Sequence, residues 1–303
     1  MDTPEFVSRF ADVNGIRLHY VSVGEGPLIL FVHGFPEFWG EWEQQLIEFG
    51  RDHQAVALDM RGYNLSEKPA NIKEYAVGKL VDDLKGLAEH LGHERLTLVA
   101  HDWGGAVAWS FANSHPEMLE SLVIINSPHP GVFARELLSN PEQQAASAYM
   151  LAFRKPDAEA VLSENSYAKL VEAVFTFGSH WEFSEAVRRK YIAAWDQHGA
   201  LTGGLNYYRI SPLYPPETEA DENRVRSIAD LPREVFAVSV PTLVIWGEAD
   251  TALLPCLLEG LDHYIDDLTI RRIPDGSHWV IHEQPGKVNG LIREFIARNK
   301  QSL

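Results

Sequence analysis

Short apolar runs bounded by turn residues recur along the chain, a pattern typical of strands buried on both faces of a parallel sheet. The runs are PLILFVHG at 27–34, AVALDM at 55–60, LTLVAH at 96–101, SLVIIN at 121–126, PTLVIWG at 241–247 and LTIRRIP at 268–274. Between them apolar residues recur every three or four positions, as at 77–91, which predicts amphipathic helices. The alternating segment 15–26 predicts an antiparallel hairpin at one sheet edge. Together these patterns predict an open α/β sheet.

A helical interval interrupts this alternation between Pro130 and Pro241. Helical periods occur at 142–153, 157–175 and 184–197, and a loop rich in proline and acidic residues follows at 211–222. Such an interval is typical of an insertion into an α/β sheet. We therefore predict a core formed by residues 1–130 and 231–303, with residues 131–230 as a separate helical domain.

The composition is that of an ordinary globular protein, with 45% apolar and 23% charged residues among 303. The formal charge of -17 disfavours nucleic acid and anionic membranes as partners, because both repel an acidic surface. The N-terminal segment lacks a signal-peptide pattern, and no apolar run approaches the roughly 20 residues of a membrane span. We expect a cytoplasmic monomer or homodimer that acts on a small neutral molecule.

The segment LTLVAHDWGG at 96–105 carries the most specific chemistry. A strand runs directly into a helix through a turn in which Asp102 lies between the small residues Ala100 and Gly104, the layout of a nucleophile elbow. A carboxylate in that position can displace a leaving group from saturated carbon and form an alkyl ester. The plain alternative for Asp102 is a helix N-cap.

The loop after the first apolar run, HGFPEFWGEW at 33–42, is a second candidate element. Its tight turn is predicted to place the backbone N–H of Phe35 beside that of Trp103. Two such donors stabilise the oxyanion that forms when an ester is hydrolysed. His33 is expected to make a structural hydrogen bond in this loop.

Two further candidates follow strands near the C-terminus. Asp250 ends the run PTLVIWGEAD, and His278 follows the next strand. The chain order nucleophile, acid, histidine is that of α/β hydrolases. We predict that His278 takes a proton from water and that Asp250 accepts its other ring N–H. Asp275 is the nearer carboxylate in sequence, but it precedes a Gly-Ser turn and is expected to be a turn residue.

The remaining ionisable residues give weaker indications. His101 and His282 flank the predicted site, whereas His19, His53, His93, His180, His198 and His263 have polar surroundings and are predicted to lie at the surface. Cys256 is the single cysteine, which excludes disulfides and paired-cysteine zinc motifs. The first strand-helix turn also lacks the glycine spacing of a dinucleotide fold. We predict neither a metal nor a cofactor.

With HGFP, HDWGG, Asp250 and His278 in that order, the sequence resembles the α/β-hydrolase-fold epoxide hydrolases. The resemblance covers nearly the whole chain, from about residue 15 to 295, and includes ALDMRGYNLSEKP. It implies a mostly parallel eight-stranded sheet flanked by helices, with the helical insertion as a cap over Asp102. It also implies two cap tyrosines that hold and protonate the epoxide oxygen. By position these are Tyr149 and Tyr208, with Tyr207 as the adjacent alternative.

The resemblance leaves related reactions open. Haloalkane dehalogenases also carry Trp after the nucleophile, but typically have Asn where this chain has Phe35. Haloacetate dehalogenases carry arginines at the positions of Trp103 and Ala106. A non-catalytic ligand receptor is a third possibility for this fold. A serine esterase is disfavoured because neither Ser110 nor Ser127 lies in an elbow.

The predicted substrate pocket is apolar and aromatic, which suits neutral aliphatic or aryl epoxides. Its predicted residues are Phe35, Trp103, Met150, Phe153 and Trp279. Trp181 and the loop at 211–223 are the segments expected either to widen this pocket or to plug it. The sequence therefore predicts an epoxide hydrolase that forms a diol through an ester on Asp102.

Overall fold

Eight strands form one sheet in the part of the chain that this computed structural model describes, residues 4–176, 181 and 184–300. They are β1 Val7–Val13, β2 Ile16–Val23, β3 Leu28–Val32, β4 Gln54–Leu58, β5 Leu96–His101, β6 Leu119–Ile125, β7 Thr242–Gly247 and β8 Leu268–Ile273. Their order is β1-β2-β4-β3-β5-β6-β7-β8. The pairs β1–β2 and β2–β4 are antiparallel, and all the others are parallel. The predicted mostly parallel eight-stranded sheet is confirmed.

The apolar runs are continuous because both faces of the sheet are buried. In β3, Leu28, Leu30 and Val32 belong to one hydrophobic cluster. Their neighbours Ile29 and Phe31 belong to another cluster. Successive side chains of a strand point to opposite faces, so each cluster lies on its own side of the sheet. A strand with two covered faces needs apolar residues at every position.

Helices flank the sheet and fill the connections. They are α1 Glu43–Phe49, α2 Val77–His90, α3 Asp102–Ser114, α4 Pro130–Ser139, α5 Pro141–Ala146, α6 Tyr149–Phe153, α7 Ala158–Thr176, α8 Glu185–Trp195, α9 Ala200–Ile210, α10 Glu219–Ala229, α11 Val280–Glu283 and α12 Pro285–Lys300. Helix α7 is interrupted by non-helical backbone between Glu164 and Tyr167. Single-turn 3₁₀ segments include Trp39–Trp42, which precedes α1. None of the helices in these described ranges has the length and hydrophobicity of a membrane span.

The edge hairpin differs from its sequence prediction. The segment predicted to contain both strands supplies only β2, whose partner β1 lies upstream across a turn at Asn14 and Gly15. Both turn residues have positive φ, +52° and +74°, as hairpin turns of two residues require. The sequence pattern missed β1 because most of its residues are at least partly exposed.

Helices α4 to α10 lie between β6 and β7, and we call them the helical insertion. The prediction of a loop throughout 211–222 is wrong for the last part of this segment, where α10 begins. Thr218 caps this helix and forms a capping box with Asp221. The acidic residues belong to its first turn, where negative charge is favoured by the helix dipole. The boundaries 131–230 of a separate cap domain stay a prediction.

Candidate site residues follow the carboxyl ends of five parallel strands. Phe35 lies in the loop after β3, Asp102 follows β5, Asn126 follows β6, Asp250 follows β7 and His278 follows β8. Parallel strands end at a common edge, where open α/β sheets place their ligand sites. The topology therefore brings together residues that are up to 243 positions apart, as the numbers 35 and 278 show.

Candidate active site

Asp102 occupies a strained turn between β5 and α3. Its φ is +48°, a left-handed conformation that a non-glycine residue adopts only when its surroundings impose it. Gly104 shows one source of this constraint, because a Cβ there would lie 2.3 Å from the carbonyl oxygen of Val32. Ser127 Oγ adds another by donating a hydrogen bond of 2.7 Å to the Asp102 carbonyl. The turn has the geometry of a nucleophile elbow.

The Asp102 carboxylate points across to the loop after β3. Its Oδ1 accepts a 2.8 Å hydrogen bond from the backbone N–H of Phe35, so the side chain is engaged away from its own helix. His101, not Asp102, occupies the N-cap position of α3. The loop turns tightly, with Glu37 N–H donating to the Gly34 carbonyl over 3.0 Å. Trp103 is the second residue of α3, so its amide is one of the N–H groups that a helix start leaves unpaired.

His278 lies between two carboxylates. Its Nδ1 is 2.7 Å from Asp250 Oδ2, and its Nε2 is 3.8 Å from Asp102 Oδ2. The second Asp250 oxygen accepts backbone N–H groups of Ala252 and Leu253 at 2.8 and 2.9 Å. Because Asp250 accepts at both oxygens, it fixes the ring so that Nδ1 carries a proton and Nε2 faces Asp102.

Charge and burial act in opposite directions on His278. Burial lowers the pKa of the ring, because a cation is poorly solvated there. The charge of Asp250 and its hydrogen bond, followed by Asp102 and Glu41, outweigh burial and raise the pKa of His278 to about 9. Near neutral pH the free protein therefore holds His278 as an imidazolium.

Tyr149 and Tyr208 lie above Asp102 on two helices of the insertion, α6 and α9. Their ring centroids are 6.1 Å apart at 79°. The Tyr208 ring also packs edge-on against Phe35 and Trp103, with centroids 5.3 and 5.1 Å apart. Burial, and next the charge of Asp102, raise the pKa of both tyrosine hydroxyls well above the ordinary value. Both groups remain protonated at neutral pH and can donate hydrogen bonds.

Tyr207, the alternative to Tyr208, points elsewhere. Its hydroxyl donates a 2.8 Å hydrogen bond to the carbonyl of Arg61. Its ring packs against Tyr63 and Tyr75. Tyr207 therefore stabilises the contact of α9 with the core, whereas Tyr208 lines the cavities at Asp102.

Two cavities meet at Asp102, Tyr149 and Tyr208. The larger, of about 80 Å³, is lined in addition by Trp103, Ala106, Pro128, Pro130, Phe133, Met150, Ser211, Leu213 and Leu253. The smaller, of about 10 Å³, is lined in addition by Phe35, Pro36, Phe153, Leu170, Ala252, His278 and Trp279. All five residues predicted for the pocket line one cavity or the other. Ser211 and Leu213 bring the predicted loop to the larger cavity, whereas Trp181 lines neither.

Comparison with known proteins places this site in a family. The model of the α/β hydrolase fold matches residues 27–285. The AB hydrolase superfamily protein YfhM of Bacillus subtilis is 38% identical over 294 residues, 95% of this chain and 97% of that protein. Epoxide hydrolase 4 of Mus musculus is 36% identical, over 93% of this chain and 77% of that protein. A crystal structure of Bacillus megaterium epoxide hydrolase in complex with an inhibitor has a TM-score of 0.87 at 36% identity, covering 95% of this chain and 100% of that one.

The chain belongs to the epoxide hydrolase family of α/β hydrolases. Its fold and its relatives assign it to hydrolases of this general kind. The roles of individual residues rest on the geometry.

The site of this chain also contains two residues that the sequence analysis did not identify. Asn126 Nδ2 donates a 2.9 Å hydrogen bond to Asp250 Oδ2, and Ser127 holds the backbone of Asp102. Both follow β6 at the carboxyl edge of the sheet. A polar pair directly after a buried strand is the feature that could have identified them.

The flanking histidines are buried rather than peripheral. His101 Nε2 is 3.0 Å from the His278 carbonyl oxygen, and His101 Nδ1 is 2.6 Å from Glu41 Oε1. Burial, and next the positive charge of His278, lower the pKa of His101 to about 3. Burial, and next the charge of Glu37, raise the pKa of Glu41 well above its ordinary value. In the resting protein the proton of this pair therefore lies with Glu41.

Other predictions for histidines had mixed outcomes. His33 is confirmed as structural, since Nδ1 contacts the Gly34 carbonyl at 2.8 Å and Nε2 accepts from Met60 N–H at 3.0 Å. The surface assignment is wrong for His19, which is buried against Asp59, and for His53. His198 and His263 are exposed, and His93 is partly buried. His180 lies outside the described residues. Asp275 is exposed and lies 3.9 Å from Lys287, whereas Asp250 is the carboxylate that contacts His278 Nδ1.

Proposed function

We propose that the protein hydrolyses a neutral epoxide to a vicinal diol through an ester with Asp102. One observation carries the proposal. Asp102 is held in an elbow with one oxygen fixed by the Phe35 amide, and it shares two cavities with Tyr149 and Tyr208. A carboxylate opposite two protonated phenols suits attack on a ring carbon whose oxygen must gain a proton.

The first half-reaction forms the ester. Tyr149 and Tyr208 donate hydrogen bonds to the epoxide oxygen, and Oδ2 of Asp102 attacks a ring carbon from the opposite side. The carbon–oxygen bond of the ring breaks, and the resulting alkoxide takes a proton from one of the tyrosine hydroxyls. Oδ1 keeps its hydrogen bond to Phe35 throughout. Backside attack requires the nucleophile and the proton donors to lie on opposite sides of the substrate, as the helical insertion allows.

The second half-reaction consumes the ester. Esterification removes the charge of Asp102, one of the charges that raise the pKa of His278, so the imidazolium gives up the proton that restores the tyrosine hydroxyl and becomes a neutral base. Nε2 of His278 then takes a proton from water, and the hydroxide attacks Cγ of Asp102. The amides of Phe35 and Trp103 stabilise the oxyanion. The ester bond breaks, the diol oxygen takes the proton from His278, and the proton left on the Asp102 carboxyl returns to His278.

The substrate class follows from the lining of the cavities. Most side chains around Asp102 are apolar or aromatic, and Ala106 stands where a haloacetate dehalogenase would carry arginine. A net charge of -17 further disfavours an anionic substrate. We therefore propose uncharged aliphatic or aryl epoxides and water as the only reactants, with no metal or cofactor in the reaction.

Displacement of halide is the rival reaction, because the indole of Trp103 lines the larger cavity and could serve as a halide donor. A comparison of styrene oxide, a simple haloalkane and fluoroacetate separates the two reactions. We expect diol from styrene oxide and little halide from either of the others. Halide release without diol formation would reject the proposal.

The ester is tested by isotope labelling. In a single turnover in ¹⁸O water, the first diol should carry no label, because its new oxygen comes from Asp102, and the label should enter the enzyme carboxylate. The variant His278→Gln should accumulate a covalent adduct of the mass of the epoxide. Quantitative label in the first diol would exclude the ester route. A non-catalytic receptor would give no adduct, and its Asp102→Asn variant would still bind ligand.

A matched pair of variants tests whether Asp250 orients His278. Asp250→Asn should reduce the hydrolysis of the ester by roughly 10⁴-fold if it acts as the orienting acid of a triad does. Asp275→Asn changes the exposed carboxylate nearest to His278 in sequence and should leave the rate unchanged.

A further inference from the structure

Glu37, Glu41 and His282 form a second cluster of ionisable groups, which we call the Glu-Glu-His cluster. One ligand atom from each lies within 4.8 Å of the other two. Glu37 Oε1 is 3.1 Å from His282 Nε2, a separation at which both atoms can coordinate one ion. The exposed fractions of Glu37 and Glu41 are 1% and 3%. Two carboxylates in so little water require a compensating cation or proton.

Glu41 is the least completely paired member of the cluster. Within the described residues, its Oε2 has no hydrogen-bond partner. Oε1 has the close contact with His101 described above, and Oε2 has no ion-pair partner there. Buried polar atoms are almost always paired, so an unpaired carboxylate oxygen indicates a missing ion or water. One carboxylate oxygen of Glu41 lies within 4.8 Å of ligand atoms of Glu37 and His282.

A cavity of about 280 Å³ adjoins the cluster and gives access to it. Glu41 and His282 are among its lining residues, with Trp181, Lys190 and Tyr191 of the insertion. None of its lining residues borders the two cavities at Asp102. The volume is large enough to admit a hydrated ion and to keep water beside it.

We propose that Glu37, Glu41 and His282 bind a divalent first-row transition-metal ion of the Zn²⁺ type. One imidazole with two carboxylates is a donor set that suits Zn²⁺ better than Mg²⁺ or Ca²⁺, which prefer oxygen alone. Water from the adjoining cavity would complete the coordination. The ion would displace the proton of Glu41 and compensate the negative charge of the buried carboxylate.

Surrounding side chains support this assignment. Tyr191 donates a 2.5 Å hydrogen bond to Glu37 Oε2, which leaves Oε1 for the ion. The Trp181 ring stacks on the His282 ring, with centroids 4.1 Å apart and planes at 6°. Side chains that contact the metal ligands and fix their orientation are characteristic of metal sites. Because both groups come from the insertion and all three ligands from the core, a bound ion would stabilise the contact between them.

The site departs from the sequence prediction of no metal. Glu37 and Glu41 are four residues apart, as are His278 and His282. The fold directs His278 to Asp250 and His282 to Glu37, so one histidine serves each site. The proposal does not depend on the reaction at Asp102, and neither result decides the other.

The test measures metal binding by the full-length protein. After dialysis against a chelator and then against Zn²⁺, we expect one Zn²⁺ per chain by elemental analysis, with a Kd at or below about 1 µM. Mg²⁺ and Ca²⁺ should not compete. Glu41→Gln and His282→Asn should each weaken binding at least about 100-fold. Glu43→Gln, an acidic side chain that lines the same cavity and pairs with Lys190, is the control and should bind as the unaltered protein does.

The proposal would be overturned by absence of Zn²⁺ binding, by binding no stronger in the unaltered protein than in Glu41→Gln, or by an equal loss in Glu43→Gln. Should the ligand variants fail to fold, Co²⁺ titration of the unaltered protein replaces them. A visible d–d absorption that saturates at one Co²⁺ per chain is expected, and its absence would equally reject the site.

Discussion

Asn126 donates a 2.9 Å hydrogen bond to the Asp250 oxygen that also lies 2.7 Å from His278 Nδ1. The other oxygen of Asp250 accepts two backbone N–H groups. Asn126 is itself fixed, since its Oδ1 accepts from Gly247 N–H at 2.8 Å. The orientation of His278 is therefore set by a chain of contacts that reaches across β6 and β7.

Removing the first member of this chain should impair catalysis. Asn126→Ala leaves Asp250 free to rotate, and loss of one orienting hydrogen bond is worth about 1 kcal/mol. We expect kcat to fall about fivefold, since 1.4 kcal/mol is a factor of ten in rate, with a smaller change in KM. Asn113→Ala, which removes an amide bonded to the carbonyls of Glu234 and Ala237, controls for general loss of stability. Equal rates for the two variants would show that Asn126 does not position Asp250.

The titration of His278 should depend on the charge of Asp102. Asp250 and then Asp102 raise the pKa of this ring against the effect of burial, to about 9. Asp102→Asn removes one negative charge, as esterification would, so the pKa should fall. NMR titration of the ring in both proteins measures the difference. An unchanged pKa in Asp102→Asn would contradict the proposed release of the base by ester formation.

The same shift makes stability depend on pH. The folded pKa of His278, about 9, lies above the unfolded value of about 6.5, so the folded state binds the proton more tightly. Its contribution is complete below about pH 6.5 and is lost as pH rises through about 9. A shift of this size corresponds to on the order of 3 kcal/mol. Denaturant unfolding at pH 6.5 and 9.5 should show the loss, and His278→Gln should show a smaller one.

The strands and the order of the catalytic candidates were predictable because they depend on local chemistry. The central parallel strands are apolar runs followed by a polar residue, so the sequence marks both the strand and the edge where the site lies. Asp102 could be distinguished from a cap because Asp250 and His278 follow it in the order of an α/β hydrolase. The same logic extends to Asn126, whose position after β6 was overlooked.

Features that depend on distant packing could not be predicted in this way. His19 has a polar sequence environment but is buried, because Asp59 lies 2.6 Å from its ring. Helix α10 begins inside a stretch of prolines and acids whose acids suit a helix start as well as a loop. The Glu-Glu-His cluster joins the loop after β3 to α11, and no local pattern indicates that pairing.

Three tyrosines of the insertion, at positions 149, 207 and 208, should differ in function. Tyr149→Phe and Tyr208→Phe each remove a hydroxyl that borders Asp102, and general acids contribute roughly 10² to 10⁴-fold. We expect each variant to lose at least about tenfold in kcat/KM for ester formation, and the double variant to lose more. Tyr207→Phe removes only the bond to the Arg61 carbonyl, so it should lower Tm and leave kcat/KM nearly unchanged. A larger kinetic loss in Tyr207→Phe would reverse the assignment of the acid.

The elbow itself can be tested by adding a single methyl group. In Gly104→Ala the new Cβ would lie 2.3 Å from the carbonyl oxygen of Val32 and 2.5 Å from that of His33. Both atoms belong to the backbone, so α3 must move away from β3 and carry Asp102 with it. We expect a loss of several kcal/mol, of the size found for overpacked cores, and little or no activity in any protein that folds.

Gly78→Ala is the matched control, because no heavy atom lies within 4 Å of a Cβ at that position in α2. Alanine is the better helix former, so this variant should gain about 0.5–1 kcal/mol. Thermal unfolding and diol formation measured side by side distinguish the two changes. A Gly104→Ala protein that matched Gly78→Ala in both would show that α3 does not depend on close contact with β3, and the strained conformation of Asp102 would need another cause.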